Sequence, residues 1–221
     1  MDWEQVKDRP IGHVWEHGEL ERHFAAVEGG LAFPGKRPGF AVVAGLRPFK
    51  EQGHYEIHVL DEVESPDLGE LLRACHGLIA KYHIRMMERE LFCWHGDTRN
   101  TAALTLIHTI NGNRPRETRL QITWAYPVLN VGQPYAFMLT RLKEYLTADR
   151  KQLYLRGSRT QHTLTEVPPD ELAELALGDF PPVEALSFAV MGLRNRADRI
   201  MQERVSRQQP PETYDPLTWE L

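Results

Sequence analysis

Apolar positions along the chain recur in two rhythms. From Gly39 to Leu46 they form a short, continuous run, Phe-Ala-Val-Val-Ala-Gly-Leu, bounded by turn residues, which suits a strand buried on both faces. After the polar turn from Lys50 to Gly53, the segment from His54 to Leu60 alternates polar and apolar residues, predicting a half-buried strand hairpinned antiparallel to the first. The rhythm then changes to threes and fours. Leu68, Leu71, Leu72, Cys75, Leu78, Ile79 and Tyr82 fall on one helical stripe, and Ser65-Pro66-Asp67 supplies a helix start, with Ser65 as cap and Pro66 in the first turn. Glu90 to Trp94 reads as a strand ending in His95-Gly96-Asp97, and Asn100 to Ile110 returns to helical spacing. A strand feeding a helix in this way is the βα unit of a parallel sheet.

Further on, Leu120 to Ala125 predicts a strand, Pro134 to Leu146 an amphipathic helix, and Leu153 to Leu155 a short edge strand. Asp170 to Leu177 predicts a helix, and a longer one opens at Pro181-Pro182 and carries Val183, Leu186, Val190, Leu193, Ala197 and Ile200 on one stripe until Pro210-Pro211. Upstream of Gly39 the pattern is mixed: Glu19 to Val27 predicts a short helix, and Gly29, Gly30, Pro34, Gly35 and Pro38 predict an irregular approach to the first strand. The expected organisation is an N-terminal arm (1–38), one α/β domain with a mixed central sheet flanked by helices (39–207), and a C-terminal tail (208–221) holding Tyr214, Trp219 and Leu221.

Composition narrows the classes. With 221 residues, 42% hydrophobic and 26% charged, the chain suits one core of ordinary domain size. No apolar run approaches the roughly 18 residues of a membrane span, and Met1-Asp2-Trp3-Glu4-Gln5 lacks a signal-peptide layout, so the cytoplasm is the expected compartment. The two cysteines, Cys75 and Cys93, exclude a disulfide framework or a four-cysteine zinc site and read as buried thiols. A net charge of -5 argues against indiscriminate coating of nucleic acid. The arginines at 194, 196, 199, 204 and 207 read as a solvated helix face, with contact to phosphate or an acidic partner as the other reading.

No phosphate loop, dinucleotide turn, GxSxG elbow, HExxH or CxxC pattern is present. His54 and His58 share a strand face without a third ligand and read as surface residues. The most informative motif is His95-Gly96-Asp97, because a carboxylate just past a strand's C-terminal end sits where α/β folds collect functional groups. Asp97 has two readings, a site residue or a residue that turns the chain and caps the next helix. Glu184, in the first turn of the last long helix, is likewise either a site residue or a dipole partner. Asp61-Glu62-Val63-Glu64 follows the hairpin strand and is a weaker acidic group.

The order of elements resembles the ribonuclease H-like fold, and within it the nuclease domain of phage terminase large subunits. Val59-Leu60-Asp61-Glu62 is similar to that family's hairpin motif, Phe92 to Asp97 to the strand bearing a metal-binding aspartate, and Phe180 to Val190 to the closing helix with its acidic start. The resemblance runs from about Phe40 to Leu193 and implies a two-metal endonuclease site, with Mg²⁺ or Mn²⁺ held by Asp97, Glu184 and Glu62 and acting on a phosphodiester. One departure stands out. The family's first strand carries an aspartate, and the strand from Gly39 has Val43-Ala44-Gly45 in its place. The resemblance therefore implies a phage or prophage terminase-nuclease-like protein with a degenerate metal site, acting in DNA packaging or as an interaction module. Its expected partners are DNA and phage packaging proteins, with no membrane and no nucleotide cofactor. An active metal-dependent DNA endonuclease and a structural assembly protein without a nucleic-acid role are the alternatives.

Overall fold

The computed structural model describes residues 3, 8–16, 18–48, 55–82, 93–112, 114, 119–123, 134–148, 152–168 and 170–208. Its elements are α1 (Glu19–His23), β1 (Ala26–Ala32), β2 (Gly39–Pro48), β3 (Tyr55–Ser65), α2 (Leu68–Tyr82), β4 (Trp94–Gly96), α3 (Thr101–Asn111), β5 (Ile122–Thr123), α4 (Pro134–Thr147), β6 (Leu153–Tyr154), α5 (Arg159–Glu166), a 3-10 turn (Leu172–Glu174) and α6 (Pro181–Gln208). Six strands form one sheet in the order β5-β4-β1-β2-β3-β6. β1 pairs antiparallel with β2, and β2 with β3 as the hairpin predicts, while β4 runs parallel to both β1 and β5, and β6 parallel to β3.

Helices cover both faces. Val42, Ala44, Ile57 and Val59 point at α4 and α6, meeting Leu139, Leu142, Leu186, Ala189, Val190 and Leu193. Val27, Leu31, Ala41, Val43 and Leu60 point the other way onto Leu71, Leu72, Cys75, Ile79 and Tyr82 of α2 and Ile107 of α3. This is the layering required when a sheet carries apolar side chains on both faces. The stripe predicted over α2 is the buried one. Its cap is Asp67, whose Oδ1 accepts from Glu70 N at 2.7 Å, while Ser65 Oγ accepts from Asp67 N and donates to Glu70.

Several sequence expectations need correction. The helix expected from Glu19 to Val27 stops at His23, and the glycine-rich stretch after it is β1, so the strand from Gly39 is the second one, not the first. Gly29 and Gly30 are where they are because no side chain fits: a Cβ on Gly30 would stand 1.8 Å from Ala185 O of α6, and one on Gly29 2.3 Å from Trp94. The helix expected over Asp170–Leu177 contracts to the 3-10 turn, ended by Gly178 at φ +87° and by Asp179 accepting from Ala176 N. α5, with the polar sequence Arg-Thr-Gln-His-Thr-Leu-Thr-Glu, has no apolar stripe and was not expected; Ser158 caps it by accepting from Gln161 N. Cys75 is buried, but Cys93 is only partly so. His58 is fully buried, stacked on Tyr154 with ring centroids 4.3 Å apart, and burial lowers its pKa to about 4. Arg196 pairs with buried Glu28 instead of facing solvent, while Arg194 lies beside Glu144. Among the described residues, no helix is long and apolar enough to cross a membrane. His54, the Glu90–Phe92 part of the expected strand and the C-terminal tail lie outside the described residues, as do the side chains of Arg199, Arg204 and Arg207.

Candidate functional site

The C-terminal end of β4 and the N-terminal end of α6 meet at one edge of the molecule, and this juxtaposition brings Asp97 and Glu184 into electrostatic range of each other. β4 is anchored by Trp94, which is fully buried under the sheet. Asp97 follows at the turn, and Arg99 clasps it: Asp97 Oδ1 accepts from Arg99 N and Nε at 3.0 and 2.8 Å, and Oδ2 accepts from Nη2 at 2.9 Å. These bonds hold the Asp97 carboxyl below the usual carboxylate range. Asp97 therefore turns the chain, but the cap of α3 is Asn100, whose Oδ1 accepts from Ala103 N.

Glu184 is buried in the first turn of α6 and accepts from Gly178 N at 2.8 Å. Burial is the main cause that pushes its carboxyl from 4.5 up to about 7, and the nearby charges of Asp97 and Asp179 add to it against the Gly178 hydrogen bond. Asp179 is thus a third carboxylate at this edge. Tyr135 of α4 faces the same acids; its hydroxyl is buried without a hydrogen-bond partner among the described residues, and its pKa is raised by burial and by Glu184 and Asp179. Neither Asp179 nor Tyr135 carries a recognisable sequence signature, because each reaches this edge only through the packing of α4 and the turn before α6.

Glu62 is placed elsewhere. Pairings put Glu62, Val42, Gly30 and His95 in one row across four strands, so Glu62 lies three strand steps, about 14 Å, from β4. Its carboxylate is engaged at the start of α5, accepting from Arg159 N at 2.8 Å, Thr160 N at 3.1 Å and Thr160 Oγ1 at 2.5 Å. Neighbouring Glu64 pairs with Arg159, and Asp61 accepts from Lys81 Nζ at 2.7 Å and Tyr82 OH at 3.0 Å on the opposite face.

β1 holds an acidic residue that sequence reasoning passed over. Glu28 is 1% exposed. Its Oε1 accepts from Arg196 Nε at 2.5 Å; its Oε2 accepts from Cys93 N at 3.1 Å and lies 3.1 Å from His95 Nε2. Gly29 pairs with Trp94, so Glu28 is level with Cys93 and four residues short of Asp97, about 13 Å along the strand. Cys93 and His95, two apart on a strand and hence on one face, were the legible half of this group.

Among the described residues, one group of three Asp, Glu, His or Cys ligand atoms lies wholly within 4.8 Å, formed by Glu28, Cys93 and His95; Asp97, Glu184 and Glu62 are not in it. The mixed six-stranded sheet flanked by helices is an α/β architecture. Among solved structures the chain is similar to the nuclease domain of g2p, the large terminase of bacteriophage SPP1, crystallised with bound Mn. The two share 13% identity with a TM-score of 0.45, over 85% of this chain and 94% of that one. No protein-family model and no curated protein matches the chain.

Proposed function

We propose that this chain is a terminase-nuclease-like protein of phage or prophage type whose two-metal centre is degenerate, and that it acts in DNA packaging as an interaction module. The observation that carries the reading is the separation of the carboxyls: Asp97 and Glu184 lie in electrostatic range of each other, while Glu62 is engaged at the start of α5 about 14 Å away across the sheet. A further feature weighs against a working centre: Arg99 occupies both oxygens of Asp97. A divalent Mg²⁺ or Mn²⁺ pair needs three or four ionised carboxylates from separate elements.

A second reading, an active endonuclease, draws on Asp179, which adds a third acid beside Glu184. Incubation of the full chain with supercoiled plasmid and Mn²⁺ at low salt separates the two. The degenerate reading expects no nicking, together with DNA binding that weakens steeply with added salt. Nicking that disappears in Asp97→Ala, Glu184→Ala and Asp179→Ala overturns it in favour of the enzyme. Absence of any salt-dependent DNA binding overturns it in favour of an assembly protein.

A further inference from the structure

We propose that Glu28, Cys93 and His95 form a binding site for one zinc-type divalent cation, distinct from the Asp97 and Glu184 edge. The three ligand atoms come from β1 and from the start of its parallel neighbour β4, and all lie within 4.8 Å of one another. Bonds of about 2.0–2.1 Å from zinc to nitrogen and oxygen at a tetrahedral angle place the two ligand atoms about 3.3–3.4 Å apart. Glu28 Oε2 and His95 Nε2 stand 3.1 Å apart, so the pair closes on a cation with a movement of a few tenths of an ångström.

The supporting groups are in position. His95 Nδ1 is 3.0 Å from Thr123 Oγ1, which fixes the ring with Nε2 toward Glu28, the outer contact a metal-bound histidine needs. Arg196 takes Oε1 of Glu28, so Oε2, which also accepts from Cys93 N, is the oxygen turned to His95 Nε2 as the ligand. On α6, the backbone of Gly192 packs against the ring, where a Cβ would stand 2.2 Å from His95 Nε2 and 2.3 Å from Cδ2, so the bare glycine lets α6 hold the imidazole in place. Glu28 forms the buried floor, while partly exposed Cys93 opens the site toward Thr123 at the β5 side of the sheet.

The donor set selects the ion. Thiolate, imidazole and carboxylate together are ligands of Zn²⁺, whereas Mg²⁺ and Mn²⁺ favour oxygen alone. Binding forms the sulfur–metal bond and releases the Cys93 thiol proton to solvent. Three protein ligands leave the fourth tetrahedral position for water.

The test is titration of the full chain, stripped with chelator and kept reduced, with Co²⁺ as a spectroscopic stand-in followed by Zn²⁺. One equivalent of Co²⁺ is expected to bind with a thiolate-to-metal charge-transfer band and the strong visible bands of tetrahedral cobalt, and Zn²⁺ is expected to displace it. Cys93→Ser is expected to abolish the charge-transfer band, and Thr123→Val to weaken binding about 10-fold. The Asp97→Ala, Glu184→Ala double variant is expected to bind as the wild type does, which keeps this site independent of the nuclease question. Cobalt binding without a thiolate band in the wild-type chain, an unchanged band in Cys93→Ser, or no binding at micromolar Zn²⁺ overturns the proposal. The wild-type spectrum decides the matter even where a variant fails to fold.

Discussion

Replacing Glu184 with Gln isolates the energetic cost of an acid buried at the start of α6. In the native chain burial holds this carboxyl at about 7 instead of 4.5. The unfolded chain releases the proton near its ordinary value, so between pH 4.5 and 7 the folded state binds more protons and stability falls as pH rises. The loss is absent below the unfolded value and complete above the folded one. At about 1.4 kcal/mol per tenfold change in proton affinity, the interval amounts to about 3 kcal/mol. Glutamine keeps a carbonyl oxygen for Gly178 N and carries no charge. Urea unfolding of wild type and Glu184→Gln, in chelator and at half-unit steps from pH 4 to 8.5, is expected to give near-equal stabilities at pH 4 and a variant more stable by about 2–3 kcal/mol at pH 8. A stability difference that stays constant across this range refutes the reasoning, since it would mean that Glu184 titrates alike in both states.

Three further outcomes are expected. Gly30→Ala, whose new Cβ meets the backbone of Ala185 and Ala189 at 1.8 and 2.6 Å, is expected to cost about 3 kcal/mol or more in thermal unfolding, while Gly35→Ala, with open space around it, is expected to change stability by less than about 0.5 kcal/mol. Arg196→Met leaves Glu28 buried without its cationic partner and is expected to cost about 3–5 kcal/mol in chelator at pH 8; adding Glu28→Gln is expected to recover most of it, and a strictly additive double variant counts against the pairing. Glu62→Ala removes three hydrogen bonds at the start of α5 and is expected to cost about 1–2 kcal/mol, read as faster amide exchange confined to Arg159–Glu166.

Elements with an apolar period were legible from the residues alone: β2, α2, α3, α4 and α6 lie where their stripes or runs predict, and β3 starts where its alternation does but continues past Leu60 through the acidic residues to Ser65. β1 was not, because its two glycines read as a loop and their reason lies in Trp94 and Ala185, residues brought close only by the fold. α5 was missed for the opposite cause, having no apolar face to announce it; it is held by Ser158 and by a carboxylate nearly a hundred positions earlier. At the site, strand-end logic pointed to Asp97 and helix-start logic to Glu184, and the structure brings these two within electrostatic range. The place of Glu62 depended on the unseen α5, and Glu28 was hidden inside the unseen strand.

The bare backbone of β1 bears on which substitutions the seam between sheet and helix can accept. Glu28, Gly30 and Ala32 are the positions on β1 that face α6, and Gly30 is the one level with His95 and against Ala185. Any side chain at 30 would have to push α6 off the sheet, and Ala32 is sealed in the apolar layer beneath that helix. Position 30 therefore admits no side chain toward α6 unless the helix is moved first. Close packing leaves this seam no slack: sheet and helix are fitted backbone to backbone, so a change as small as one methyl group at position 30 is felt along the whole contact with α6.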